Sequence, residues 1–317
     1  METPLSDRVL LEHKAEWLEK LKSEGYVVIK QVLTEEQVEE AKRLVWDWLE
    51  SLGSGIDRLD SGTWVDQNWP GKFNDGITTS HGAAQSKAAW YIRGLPAVRE
   101  AFSSIWKTSK LITSMDAMII WRPWWLKASE TQMPDGLFLH MDQNPFTQPG
   151  FSCVQGMVPL CSATGAVGGL RIVPKTHLEE AQQAIREQNE SLKSAGRFCK
   201  VNNPEYQNAW KLVLAEPGDL ILWDSRLLHG SHVGHGLVSE KKASLDLARC
   251  AMTVCMMPRE GVPEDILEKR KDGVRRGICM THLPTKYEPH NLVGSDGRNI
   301  KYVQETPQLS DSQLELV

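Results

Sequence analysis

Residues 137–145 read Leu-Phe-Leu-His-Met-Asp-Gln-Asn-Pro, an apolar extended piece that runs out through His140-Met141-Asp142 into the turn formers Gln143-Asn144-Pro145. Side chains alternate along an extended chain, so residues two apart share a face and His140 and Asp142 point the same way. The surrounding sequence has the same texture. Ala117 to Trp121, Phe151 to Leu160, Leu170 to Val173, Leu212 to Leu214, Leu220 to Trp223 and Leu247 to Met257 are short apolar runs set apart by turn residues. Short strands punctuated by Gly and Pro predict a sandwich or barrel, not a parallel sheet with crossover helices. Within this region Glu179 to Ser194 reads as a helical insertion, and Glu264 to Lys271 as a peripheral helix beyond it.

Upstream the period changes. Leu10, Trp17, Leu18 and Leu21 stand at helical spacing, Gly25 stops the helix, and Tyr26 to Ile29 reads as a strand. Thr34 and Gln37 form a capping box in front of Val38, Ala41, Leu44, Trp48 and Leu52, one apolar helix face. Pro96 opens a third helix carrying Val98, Phe102, Ile105 and Trp106. Between them, Gly53 to Gly82 is a long loop anchored by Trp64, Trp69 and Phe73, with too many bulky residues for a solvated tether. The expected organisation is a single domain over 1–317: a helical layer and pocket loop to about 110, a β core over about 111–260, and a C-terminal extension over 261–317. Its class is α+β, mainly β.

The chain has 317 residues, with 36 Lys and Arg against 41 Asp and Glu, a net charge of −5. Such a balance offers no global basic field for nucleic acid or anionic lipid. No apolar run of membrane-spanning length and no basic-then-apolar leader is visible, so a soluble cytoplasmic protein with neither nucleic-acid nor membrane partner is expected. The six cysteines form no C-x-x-C pair and read as buried free thiols. Tryptophan, at 12, outnumbers Phe at 6 and Tyr at 5. Tryptophans outside a core often line ligand sites.

His140 and Asp142 offer two ligands to one metal ion. A third stands in the stretch Pro217-Gly-Asp-Leu-Ile-Leu-Trp-Asp-Ser-Arg-Leu-Leu-His229, giving two histidines and a carboxylate. That set leaves open positions on an octahedral ion, as in non-haem Fe(II) oxygenases. Taken alone, His-x-Asp is a weak signal and fits better a strand-end His and a turn Asp bonded locally. Zn(II) accepts the same donors, although no Glu or further His is placed as an evident general base.

Four ordered stretches resemble the phytanoyl-CoA dioxygenase-like family of Fe(II)- and 2-oxoglutarate-dependent oxygenases. They are Gly25 to Gln37 (GYVVIKQVLTEEQ), the His140-Met141-Asp142 strand end, Gly168 to His177 (GGLRIVPKTH) and Pro217 to Ser231 (PGDLILWDSRLLHGS). The resemblance spans about Gly25 to Pro258. It implies a double-stranded β-helix (a jelly roll, cupin-like) with the N-terminal helical layer already inferred, and Fe(II), 2-oxoglutarate and O2 as cofactor and cosubstrates. His140, Asp142 and His229 match the iron ligands. Arg249 matches the arginine that clamps the distal carboxylate of 2-oxoglutarate, a task suited to a guanidinium fork. Arg226 and Arg259 are the alternatives for that clamp. Ser231 matches a hydroxyl helper, and Gln155 and Met118 fall where the family lines the cosubstrate site. His177 is expected to tie a turn. His232 and His235 are not expected among the ligands.

The resemblance implies oxidation of a small organic molecule with release of succinate and CO2, by hydroxylation, desaturation or ring formation. Asp142 fills the site that related halogenases leave open for halide, which favours hydroxylation over halogenation. Trp121, Trp124 and Trp125, close together before the metal strand, suggest a substrate with an apolar or aromatic portion; Trp121, Trp125, Arg93 and Arg226 are the candidate substrate contacts. Other classes are a non-catalytic jelly-roll binding protein and an oxygenase acting on a macromolecule. The sequence selects no particular substrate or oligomeric state.

Overall fold

The structure is a computed structural model that describes residues 1–70, 76–126, 133–236, 246–290 and 308–317. The expected Phe73 anchor lies outside the described residues.

The chain opens with β1 (Val9–Leu10), α1 (Lys14–Glu24) and β2 (Tyr26–Lys30). Gly25 ends α1 in the left-handed region at φ 83°, its N–H donating to Leu21 O. A Cβ there would also sit 2.5 Å from His177 Nδ1 and 2.6 Å from Leu227 Cδ1, so glycine serves both the turn and the close approach. Next come α2 (Glu35–Ser51), β3 (Ile77–Thr78), α3 (Lys87–Gly94) and α4 (Pro96–Trp106). The capping box of α2 is fully formed: Thr34 Oγ1 accepts from Gln37 N, and Gln37 Oε1 accepts from Thr34 N. Pro96 occupies the first turn of α4, where its missing N–H is no loss.

The strand-rich part runs β4 (Leu111–Thr113), β5 (Met118–Trp121), β6 (Leu137–Met141), β7 (Val154–Pro159) and β8 (Gly168–Val173). After α5 (Glu179–Gln188) come β9 (Cys199–Lys200), α6 (Pro204–Ala209), β10 (Lys211–Leu212), β11 (Leu220–Asp224) and β12 (Leu228–Val233). β13 (Arg249–Val254), β14 (Met256–Pro258), α7 (Glu264–Arg275) and α8 (Asp311–Leu314) complete it.

A seven-stranded sheet has the order β1-β2-β11-β7-β13-β5-β3, and a five-stranded sheet the order β10-β8-β12-β6-β9. All pairings are antiparallel except β1 with β2. The result is the expected two-sheet jelly-roll architecture, but neither sheet closes into a barrel: two-residue strands end the edges. β2 stands well inside the large sheet, so the N-terminal segment supplies strands as well as helices.

Three packed interfaces explain why the strands read as continuous apolar runs. In β11, Leu220 and Leu222 face the helices and join Trp17, Val45, Trp48 and Phe102 in one core, while Ile221 and Trp223 face the other sheet and join Leu170, Ile172 and Leu227. Leu139, Met141 and Leu228 project from the far side of the small sheet onto Ile185 and Leu192. Each buried large side chain contributes about 1.5–3 kcal/mol. The long loop is pinned rather than solvated. Arg122, beyond β5, donates to Trp64 O at 3.0 Å and Asp66 Oδ1 at 2.5 Å and lies over the Trp69 ring. All six cysteines are free, as expected.

Candidate metal centre

The parity of β6 decides which side chains enter the space between the sheets. Leu139 and Met141 project outward, so His140 projects inward, and Asp142, just past the strand, follows it. β12 lies antiparallel to β6 with His229 directly opposite His140 and then slips register before Ser231 pairs with Leu137. Gly230 stands at this irregularity, where a Cβ would come within 2.5 Å of Leu137 O and 2.6 Å of Phe138 O. Ser231 Oγ accepts the Leu137 N–H at 2.7 Å, so its position helps to seat the two strands.

The imidazole rings lie 4.3 Å apart between centroids. His140 Nδ1 donates to Phe138 O and His229 Nδ1 to Leu227 O, each at 2.9 Å. A carbonyl can only accept, so both histidines carry the proton on Nδ1 when neutral and present bare Nε2 lone pairs. Those nitrogens lie 3.8 Å (His140) and 3.2 Å (His229) from Asp142 Oδ2. Gln155 Nε2, from β7, donates to the same oxygen at 2.9 Å. Asp142 N donates to Ser225 O, fastening the carboxylate to the turn ahead of β12. The ligand atoms of His140, Asp142 and His229 lie within 4.8 Å of one another. Two converging lone pairs and a carboxylate fit a divalent cation.

The electrostatics agree. Burial, reinforced by the neighbouring His229, pushes His140 down to about 4, so its imidazole is neutral and free to ligate. Burial alone would raise Asp142, but the surrounding imidazoles, His282 foremost, outweigh it and hold the carboxyl well below its usual range.

Arg249 projects from β13 on the face opposite Cys250, which packs toward the helices. It is buried, its guanidinium lies 4.4 Å from the centroid of Trp121, and its Nη1 has no hydrogen-bond partner among the described residues. Burial pulls its pKa down to about 9. An uncompensated buried cation with a free donor fits an anionic carboxylate. Arg226 is already engaged by Asp224, Nε to Oδ1 at 3.0 Å and Nη2 to Oδ2 at 2.7 Å, and Arg259 follows β14 outside the sheet core.

Two expected site residues lie elsewhere. Met118 belongs to the helix-facing core, because β5 turns Met118 and Ile120 one way and Ile119 and Trp121 the other. Arg93 is neither a substrate contact on this side nor a surface ion pair: it is wholly buried in α3, and its Nη1 donates to Ala84 O at 2.5 Å. Trp121 sits beneath Arg249, and Trp125 is half-buried against Trp124 at 4.7 Å. His177 donates from Nε2 to Lys22 O, the expected tie, while His232 lies against Trp210 and His235 is exposed. Three residues near the ligands carried no sequence signal: Phe138, exposed and edge-on to His140; Phe198, whose ring lies 4.5 Å from that of His140; and His282, from the segment after α7.

The profile of the phytanoyl-CoA dioxygenase family matches residues 21–236, a span that contains His140, Asp142 and His229. The chain belongs to the phytanoyl-CoA dioxygenase family. It is therefore an enzyme of the Fe(II)- and 2-oxoglutarate-dependent kind, in accord with the sequence resemblance. Among relatives of this phytanoyl-CoA dioxygenase family member is the Ava biosynthesis cluster protein O of Aspergillus versicolor, 29% identical over 288 residues that cover 87% of this chain and 88% of that protein. Its fold is shared by SnoK, a non-haem α-ketoglutarate-dependent carbocyclase from nogalamycin biosynthesis. The TM-score is 0.52 at 16% identity, covering 83% of this chain and 93% of SnoK. A hypothetical protein of Escherichia coli gives a TM-score of 0.59 at 15% identity, covering 86% of this chain and 77% of that one. No helix among the described residues is long and apolar enough to cross a membrane.

Proposed function

We propose that this chain, acting as one domain over 1–317, oxidises a C–H bond of a small organic molecule, with His140, Asp142 and His229 holding Fe(II) and Arg249 binding the distal carboxylate of 2-oxoglutarate. The observation that carries this reading is the convergence of two bare Nε2 lone pairs and one carboxylate oxygen within 4.8 Å. When bound, iron with 2-oxoglutarate and O2 supplies an oxidation strong enough for an unactivated C–H bond, releasing succinate and CO2.

The chain's own groups supply position. The carbonyls of Phe138 and Leu227 fix both ring orientations, and Gln155 fixes the carboxylate. Arg249, resting on Trp121, orients the cosubstrate through a donor that nothing else uses among the described residues. Asp142 keeps a carboxylate at the position a halogenase leaves open, which supports hydroxylation, desaturation or ring formation over halogenation. A small-molecule substrate is supported by the name of the Aspergillus versicolor relative, a biosynthesis cluster protein, and by the aromatic side chains beside His140.

The test is an anaerobic titration with Fe(II) and 2-oxoglutarate, following the weak visible band of the chelate, with His140→Ala as control. A band present in the wild type and lost in the control supports the assignment and opens a substrate screen by succinate release. Absence of the band, with zinc or no metal on analysis, overturns it.

A further inference from the structure

Residues 279–290 double back on themselves beside the metal centre. Met280 and Pro289 form an antiparallel bridge, Thr281 N donates to Glu288 O, and His290 N donates to Cys279 O. On one side Glu288 is ion-paired with Arg197, the neighbour of Phe198, whose ring lies against that of His140. On the other side Leu283 packs on Cys153, two residues before the Gln155 that holds Asp142. His282 follows Thr281, whose hydroxyl also donates to Glu288 at 3.2 Å, and precedes Leu283. Both Asp142 and His140 feel its imidazole, yet it is not in the group whose ligand atoms converge. Its Nε2 is buried and has no hydrogen-bond partner among the described residues.

A buried ring nitrogen without a partner is costly in a folded protein, and at a reaction centre a ligand can relieve that cost. The surface around His140 is aromatic. Phe198 is 48% and Phe138 36% exposed, their rings meet edge to face at 5.7 Å, and both lie within 6.0 Å of the His140 ring, centroid to centroid. Lys200 Nζ caps the Phe138 ring at 4.4 Å. Two partly exposed aromatic rings, one of them capped by Lys200, and a buried unpaired nitrogen linked to them through the Arg197–Glu288 pair make a site for a ring compound that carries an oxygen.

We infer that His282 is the specificity-determining residue of this enzyme: the substrate is a flat ring compound that lies on Phe198 and Phe138 and hydrogen-bonds Nε2 of His282 through a hydroxyl or carbonyl oxygen. That bond fixes which C–H faces the metal. The inference rests on the oxygenase reading above and names the substrate class for the same site. A ring without the oxygen is accepted by the aromatic shelf but leaves Nε2 unpaired, and such a site discriminates against it.

The test uses a matched pair, 1-indanol and indane, titrated into anaerobic protein loaded with Fe(II) and 2-oxoglutarate, with perturbation of the visible band as the readout. In the wild type 1-indanol binds about fivefold tighter than indane, the value of one neutral hydrogen bond. In His282→Ala the two bind within about twofold of each other, and His282→Gln recovers part of the preference. Phe198→Ala weakens both probes alike. Equal binding in the wild type, no perturbation by either probe, or a preference that survives in His282→Ala overturns the inference and leaves the oxygenase reading standing. If no band forms in the wild type, the oxygenase reading falls and this inference with it.

Discussion

Gln155 donates from Nε2 to Oδ2 of Asp142 at 2.9 Å, the same oxygen that lies 3.2 Å from His229 Nε2. The amide therefore holds the carboxylate at the point where the three donors meet, and it does so from the opposite sheet. β7, which carries Gln155, belongs to the seven-stranded sheet, whereas both histidines belong to the five-stranded one. The metal centre thus depends on the packing of the two sheets as well as on its own strands.

Replacing Gln155 with Met keeps the volume and removes the donor. Second-layer partners of this kind are worth about 10–100-fold in metal affinity. Gln155→Met is expected to weaken Fe(II) binding within that range, read by anaerobic titration, with little change in urea unfolding of the metal-free protein. Unaltered iron affinity would show that Asp142 is held sufficiently by its backbone bond to Ser225.

Arg249 is buried on Trp121 with one guanidinium nitrogen unpartnered among the described residues. Arg249→Ala is expected to raise the 2-oxoglutarate concentration needed for half-formation of the chelate band by at least about tenfold, since a charge-assisted hydrogen bond is worth about 1.5–3 kcal/mol. The iron requirement should change far less. Arg249→Lys is not expected to restore the wild-type value, because an ammonium lacks the planar fork. An unchanged 2-oxoglutarate requirement would remove Arg249 as the clamp.

Gly230 sits where β12 slips past β6, and a Cβ would meet two backbone oxygens that cannot yield as a flexible side chain can. Gly230→Ala is expected to separate His229 from His140 and to abolish formation of the chelate band. Far-UV circular dichroism should remain close to wild type, because the seven-stranded sheet and the helices do not depend on this contact. Normal iron binding by the variant would show that the ligand strands tolerate a wider spacing.

Most of this site was legible in the sequence because alternation along a strand is a local property. His140 and Asp142 share a face whatever surrounds them, and the capping box at Thr34 and the stop at Gly25 are equally local. The resemblance misled at Met118, where the strand was recognised but the neighbouring Ile119 and Trp121 took the inner face. β12 itself did not read as a strand, since Leu-His-Gly-Ser-His-Val has a ligand, a bulge and a partly exposed end in six residues. Phe198 and His282 could not be found from spacing. They arrive from distant segments, and only tertiary packing brings them to His140 and Asp142. Arg93, expected as a substrate contact, failed for the same reason in reverse: nothing local in the sequence shows that the surrounding elements bury it.

The buried, neutral His140 makes the metal-free protein sensitive to acid. An exposed imidazole in the unfolded chain titrates near 6.5, whereas burial, with His229 nearby, holds the folded value at about 4. Between those values the unfolded chain binds a proton that the folded chain refuses, so stability falls as pH drops from about 6.5 toward 4 and is level with respect to this group above that window. The loss is at most about 3 kcal/mol, at about 1.4 kcal/mol per pH unit. Asp142 acts lower down: its folded pKa lies well below the usual carboxylate range, so its contribution persists through this window and is lost only in stronger acid. Thermal unfolding of chelator-treated wild type and His140→Gln between pH 7.5 and 4.5 tests this. The wild-type midpoint should fall more steeply than that of the variant below about pH 6.5. Parallel curves would mean that His140 titrates in the fold as it does in the unfolded chain, so that burial does not hold it neutral.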